Sequence, residues 1–384
     1  MNMKRVVAVA HKEWREIIRD RVFFSLSFIV PVVMMLLLGY GLSLDVENIP
    51  FAVVDYDRSA LSRDYAYRFI GSRYFAFKGY VSDERELDRL LIENEIRAAI
   101  IIPEKFQERL LSDRSVQVQT LIDGTFPSRT MITKGYVIAI NSAASQELLA
   151  GYLSRKGGMS LQEARQVLQP VSLEVRFLYN QSVKSIWSIA PKLIMVILMV
   201  SPPFLTALGV VREKESGSIY NIYASTVSRG EFLVGKVTPY IAISSFNSLV
   251  LWVLATQLFG APFKGNFIFY LAATFLYLIC TTGIGLLVSV LVRTQIAAMM
   301  VTAIVTLVPG VLYSGVLIPI TSLTKTAQAV AHCLPAMYYT NIVVGCFLKG
   351  VGLRVLWLDT LVLALYATAL FTLGYSLFHK RPSS

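Results

Sequence analysis

The chain of 384 residues is 55% hydrophobic and only 16% charged, with a mean hydropathy of +0.57. Soluble domains carry about 25% charged residues, so this composition excludes an ordinary soluble protein. The formal charge of +11 does not mark a nucleic-acid surface: residues 45–186 hold equal numbers of acidic and basic side chains, and the excess lies beside long apolar runs.

In chain order, residues 1–21 come first, with Val6, Val7, Ala10, Trp14, Ile17 and Ile18 near spacings of three and four and Lys12, Arg15, Glu16 and Arg19 between them. That pattern predicts an amphipathic helix lying in the membrane interface, its apolar side in lipid. Residues 22–44 (VFFSLSFIVPVVMMLLLGYGLSL) carry no charge and are long enough to cross a bilayer. Lys4, Arg5, Lys12, Arg15, Arg19 and Arg21 precede this run, which puts the amino terminus in the cytoplasm by the positive-inside rule. The run is longer than a signal-peptide core, so it reads as an uncleaved anchor.

Residues 45–186 read as an extracytoplasmic α/β domain. PFAVVDYD, YFAFKGYV, RAAIIIPE and SVQVQTLID predict strands, and the polar periodic stretches near 59–72, 83–94 and 104–112 predict helices between them. A long helix follows over roughly 128–155. Ser160 with Glu163 predicts a capping box on a shorter helix that stops before Pro170. VSLEVRFLY predicts a last strand. The strand ending at Asp55 resembles the acidic strand of nucleotide hydrolases, but its predicted place outside the cell makes it structural.

Residues 187–384 supply five more apolar segments, giving an α-helical polytopic membrane protein of about six spans. Pro202 and Pro203 predict a kink in the second. VPGVLYSGVLIP predicts a break at the outer end of the fifth, and the segment 309–350 as a whole reads as a broken or re-entrant element. With six spans both termini are cytoplasmic. Cys280, Cys333 and Cys346 are embedded in apolar sequence; the last two could meet on the outer side or pack as small hydrophobes. The three histidines are too scattered for a metal site.

Residues 230–237, GEFLVGKV, match the phosphate-loop pattern except at Val237, where a hydroxyl is needed. Glu231 would repel phosphate, no apolar strand precedes the stretch, and an apolar span follows it. The chain is therefore not expected to hydrolyse ATP.

This stretch instead resembles the inner loop of ABC-2 type transporter permeases, where the second span ends in a pattern like R-E-K-E-x-G-T-x-E-x-L, followed by T-P-x-x-R-x-E and G-K. Here stand Arg212, Glu213, Lys214, Glu215, Gly217 and Ser218, then Arg229, Glu231, Gly235 and Lys236. Ser218 replaces Thr, Tyr220 replaces Glu and Thr226 replaces Pro. The order of elements is similar to the family along the whole chain, and most similar to the bacterial drug-efflux-like subgroup with a large first outer loop.

The resemblance implies a permease subunit in the bacterial inner membrane, moving a hydrophobic or amphiphilic substrate outward. It implies a second permease chain, identical or a sister, and an ABC ATPase subunit that binds ATP and magnesium, with no cofactor on this chain. A periplasmic adaptor is a further partner it allows. The coupling loop, 212–236, would hold a short helix docked in the ATPase: Glu213 and Glu215 would meet its basic groups, Ile219, Ile222 and Tyr223 would offer an apolar face, and Arg212, Lys214, Gly217, Ser218, Arg229 and Glu231 complete the segment. The competing reading is a membrane-anchored receptor or assembly factor acting through residues 45–186, against which the five clustered spans count.

Overall fold

The computed structural model describes residues 2–42, 46–112, 114–168, 176, 178–218, 220 and 225–377. The chain divides into two compact units, one formed by Met1–Ser43 with Phe177–Ser384 and the other by Leu44–Arg176.

In the second of these, a four-stranded sheet has the order β2-β1-β3-β4. β1 (Ile49–Asp55) runs parallel to β2 (Phe75–Tyr80) and β3 (Ala98–Ile102), and β4 (Gln119–Ile122) runs antiparallel to β3. Phe51, Val53, Ile100 and Ile102 face one apolar core with Tyr65, Phe69 and Phe106, while Ala52, Val54, Ala99 and Ile101 face another with Leu87. Burial on both faces explains why β1 and β3 read as continuous apolar runs and not as alternating ones.

Asp55, at the end of β1, accepts N–H bonds from Asp57 and Arg58 at 3.1 and 2.9 Å and an O–H bond from Ser62 at 2.7 Å. These bonds tie the turn into the helix Ala60–Ile70, so the carboxylate holds a turn. The helices Glu84–Ile92, Phe106–Leu111 and Pro127–Gly157 follow the sequence reading closely. Asp83 caps the first of them by accepting the Glu86 N–H. Ser160 and Glu163 exchange both bonds of the capping box on Leu161–Leu168. The strand expected over VSLEVRFLY falls largely outside the described residues, and Arg176 and Leu178 are not in a strand.

Among its described residues the other unit carries six helices long and apolar enough to cross a membrane: Arg21–Gly41, Ser185–Glu215, Arg229–Leu258, Phe267–Leu291, Gln295–Leu312 and Leu353–Leu377, numbered here as the first to sixth spans. This is a multi-pass membrane protein. The second span is its hub, with 89% of its apolar window buried against 17% for the sixth. Pro191, Pro202 and Pro203 lie inside it without ending the helix, which loses the amide donors of those positions. The fifth span stops at Leu312 and is followed by an irregular turn with Gly315 at φ +81°. Beyond it, Lys325–His332 and Pro335–Lys349 meet at 86°. Tyr339 anchors this bent pair by stacking on Tyr277 at 4.1 Å and bonding Thr274 at 2.8 Å. All three cysteines are unpaired, Cys280 and Cys346 buried and Cys333 exposed.

Candidate functional site

The helix Met3–Arg19 forms from Asn2, whose side chain accepts the Lys4 N–H, and ends at Asp20. Its apolar residues divide. Val6 and Ile17 are buried in the protein, and Val7, Trp14 and Ile18 are exposed. The expectation of one apolar face given wholly to lipid is thus corrected: half of that face meets the third span. Gly235 of that span makes the approach possible, because a Cβ there would stand 2.8 Å from the Val6 carbonyl oxygen.

On the buried side lies Glu13, which periodicity alone did not single out. Its Oε2 accepts from Lys236 Nζ at 2.6 Å, and its Oε1 accepts from the Tyr240 hydroxyl. Lys236 Nζ also reaches Glu213 Oε1 at 3.1 Å, and Lys12 Nζ meets the same oxygen at 2.7 Å. Lys236 is 0% exposed, Glu13 3% and Glu213 4%. With Glu16, which faces Lys12 at 3.6 Å, three carboxylates and two ammoniums thus form a cluster shared by the amino-terminal helix and the second and third spans. Burying Glu13, Glu213 or Lys236 alone would be costly; together, with Lys12 at the exposed edge, they compensate. Burial pushes the Glu13 carboxyl above its ordinary pKa, against the pull of Lys236 and Tyr240. Burial works to lower Lys12, but the Glu213 hydrogen bond and charge outweigh it and raise its pKa.

GEFLVGKV is accordingly helix: it lies in the first turns of the third span, where Glu231 and Ser228 form a capping box. Gly235 gives room to a neighbouring helix, and Lys236 holds two carboxylates. Oxygens of Glu13, Glu16 and Glu213 lie within 4.8 Å of one another, close enough to hold a metal ion. The ammoniums of Lys12 and Lys236 supply the positive charge there.

The four charged residues that end the second span go to four different places. Arg212 pairs with Asp20 at 2.7 Å and lies over the Phe23 ring at 5.2 Å. Asp20 in turn caps the first span through the N–H groups of Val22 and Phe23. Burial alone would raise the Asp20 pKa, but those bonds and Arg212 hold it below its ordinary value. Glu213 joins the cluster above. Lys214 donates to the terminal carbonyls of the fourth span, Ser289 and, at 3.4 Å, Val290. Glu215 accepts from the backbone and side-chain N–H groups of Gln295, at 3.1 and 2.9 Å, at the start of the fifth span. The lysine and the glutamate thereby complement the negative and positive ends of two helix dipoles.

The reading that Glu213 meets basic groups on a partner is therefore corrected: its bases are Lys12 and Lys236 of its own chain. Glu215, though exposed, is engaged by Gln295. Gly217 takes φ +73° in the turn after the helix, beside Ser218, whose hydroxyl bonds that of Ser216 at 3.0 Å. Ile219, Ile222 and Tyr223 lie outside the described residues. Arg229 is exposed on the first turn of the third span, and Glu231 is buried, accepting the Asn2 N–H at 2.6 Å and facing Arg5 at 3.8 Å. Arg5 also donates to the Thr226 carbonyl at 2.6 Å, a contact a proline at 226 would keep.

The site is a junction where the ends of five spans and the amino-terminal helix meet on one side of the bundle. Sequence reasoning found its charges on the second span, named Lys236 only as part of a pattern, and missed Glu13 and Tyr240. The signal for the first was a glutamate in step with Val6 and Ile17; for Lys236 it was a lysine in a pattern that did not fit its usual chemistry.

A family model described as ABC-2 family transporter protein matches residues 21–376. The chain is 26% identical to the probable multidrug ABC transporter permease YbhS of Escherichia coli, over 97% of this chain and 96% of the relative. It is 22% identical to the probable multidrug ABC transporter permease YbhR of the same organism, over 98% and 99%. It is 23% identical to the inner membrane transport permease YhhJ of Escherichia coli, over 99% and 98%. With the family match running through the six spans, this chain belongs to the ABC-2 family of transporter proteins.

Proposed function

We propose that the chain is the permease subunit of an ATP-driven exporter that moves a hydrophobic or amphiphilic compound, such as a drug or lipid, outward from the bacterial inner membrane. The full-length likeness to proteins named as multidrug permeases supports this. Two permease chains stand over a separate ABC ATPase that binds ATP and magnesium. Both termini and the segment 212–236 face the cytoplasm, and residues 45–186, inserted between the first and second spans, face outward, where an adaptor can reach them.

One observation carries the mechanism. Arg212, Glu213, Lys214 and Glu215 each hold a different helix, and the chain runs from them straight into the segment around 216–228. A push on that segment by closing ATPase subunits reaches the first, third, fourth and fifth spans and the amino-terminal helix at once. Packed junctions of this kind move between discrete arrangements instead of bending continuously. The residues that present themselves to the motor are Gly217, Ser218 and Arg229, with Ile219, Ile222 and Tyr223.

The test is co-purification with the ATPase subunit and ATP turnover of the assembly. Arg229→Glu is expected to weaken association about tenfold, the equivalent of about 1.4 kcal/mol, with the isolated permease unfolding at the wild-type temperature. A chain that never associates with an ATPase overturns the reading; full association of Arg229→Glu removes that residue from the contact.

A further inference from the structure

Lys192 lies in the second turn of the second span, among residues that are otherwise apolar and buried. It is 20 residues before Arg212, or about 30 Å along a helix, one hydrocarbon thickness. It therefore marks the opposite boundary of the bundle from the charged junction. An ionisable side chain in such a segment is expensive unless something satisfies it.

Its surroundings satisfy it poorly. The ammonium is partly buried and makes one long bond, 3.4 Å, to the Val316 carbonyl in the irregular turn after the fifth span. Among the described residues no carboxylate pairs with it, whereas Asp359, another span charge, receives the Asn341 amide at 3.0 Å. An ammonium has three donors to place. Two residues before Val316, the Ser314 hydroxyl is 0% exposed and has no hydrogen-bond partner. Ser188, one turn before Lys192, shares its face. The helix itself begins at Lys184 without a side-chain cap, so its first amides add positive potential at that end.

We propose that Lys192 and Ser314 recognise the anionic head group, a carboxylate or phosphate, of the amphiphile that the protein exports. The ammonium supplies the charge and the hydroxyl a directional bond, at the boundary where cargo leaves the bilayer. This deepens the exporter reading and rests on it for the word cargo, but the binding itself needs no ATPase.

The test uses the full chain alone in phosphatidylcholine nanodiscs, titrated with dansylamino-undecanoate and with its uncharged methyl ester. The carboxylate is expected to bind about tenfold tighter than the ester, the usual scale of a charge-assisted hydrogen bond. Lys192→Gln is expected to abolish that preference, Lys192→Arg to keep it, and Ser314→Ala to reduce it about threefold. Unchanged ester binding shows that each variant is folded. Equal affinities in the wild type, or a preference that survives Lys192→Gln, overturn the proposal. Displacement of the carboxylate by phosphatidylglycerol in the disc would assign the site to a phospholipid head group, the phosphate form of the same recognition. Because no motor is present, failure of ATPase association leaves this result standing, and the reverse holds too.

Discussion

The sheet unit and the charged junction use ionic groups in opposite ways. In the sheet unit, Arg68 pairs with Asp64 and Glu147 on the surface, while phenylalanines fill one face of β1 and β3 and alanines and branched residues the other. At the junction, Lys236 is the centre, and apolar residues surround it. Water can replace the first kind of pair and cannot reach the second. Between membrane helices apolar contact discriminates weakly, since lipid is as apolar as leucine; buried charges that must find their partners fix which helix meets which. Surface charge decorates the one unit, and buried charge specifies the other.

Removing Lys236 should break this contrast most severely. Lys236→Ala leaves Glu13 buried without a cation and Glu213 with Lys12 alone, and breaking a buried pair typically costs about 3–5 kcal/mol. Thermal unfolding in nanodiscs should show it, with partial recovery when Glu13→Gln is added. A Lys236→Ala variant as stable as wild type would mean that the cluster specifies nothing.

Acid should act next, and on the sheet unit. Asp123 holds a pKa of about 2, lowered from 3.8 by Thr125 and Arg97. A carboxylate with a depressed folded pKa contributes stability that is present above its unfolded value and lost as pH falls through the folded one. Stability carried by Asp123 should therefore fade between pH 3.8 and about 2, and Asp123→Asn should flatten that part of the profile while lowering stability at neutral pH. The smallest effect is expected at Arg68→Ala: exposed pairs are worth about 0–1 kcal/mol, so its unfolding temperature should hardly move. A large loss there would erase the distinction between the two uses of charge.

The amino-acid sequence by itself determined the six apolar helices, the two-sided strands of the sheet and the capping box at Ser160, because each follows from local periodicity and local hydrogen bonds. It also marked Arg212, Glu213, Lys214 and Glu215 as the charged end of the second span. Only the tertiary structure decided what each of them holds. Consecutive residues of a helix point about 100° apart, so four in a row face four directions, and their partners Lys12, Asp20, Lys236, Ser289 and Gln295 come from distant parts of the chain. Glu13 was hidden for the same reason: a carboxylate on an apolar face is understood only when its lysine, more than two hundred residues later, is brought against it.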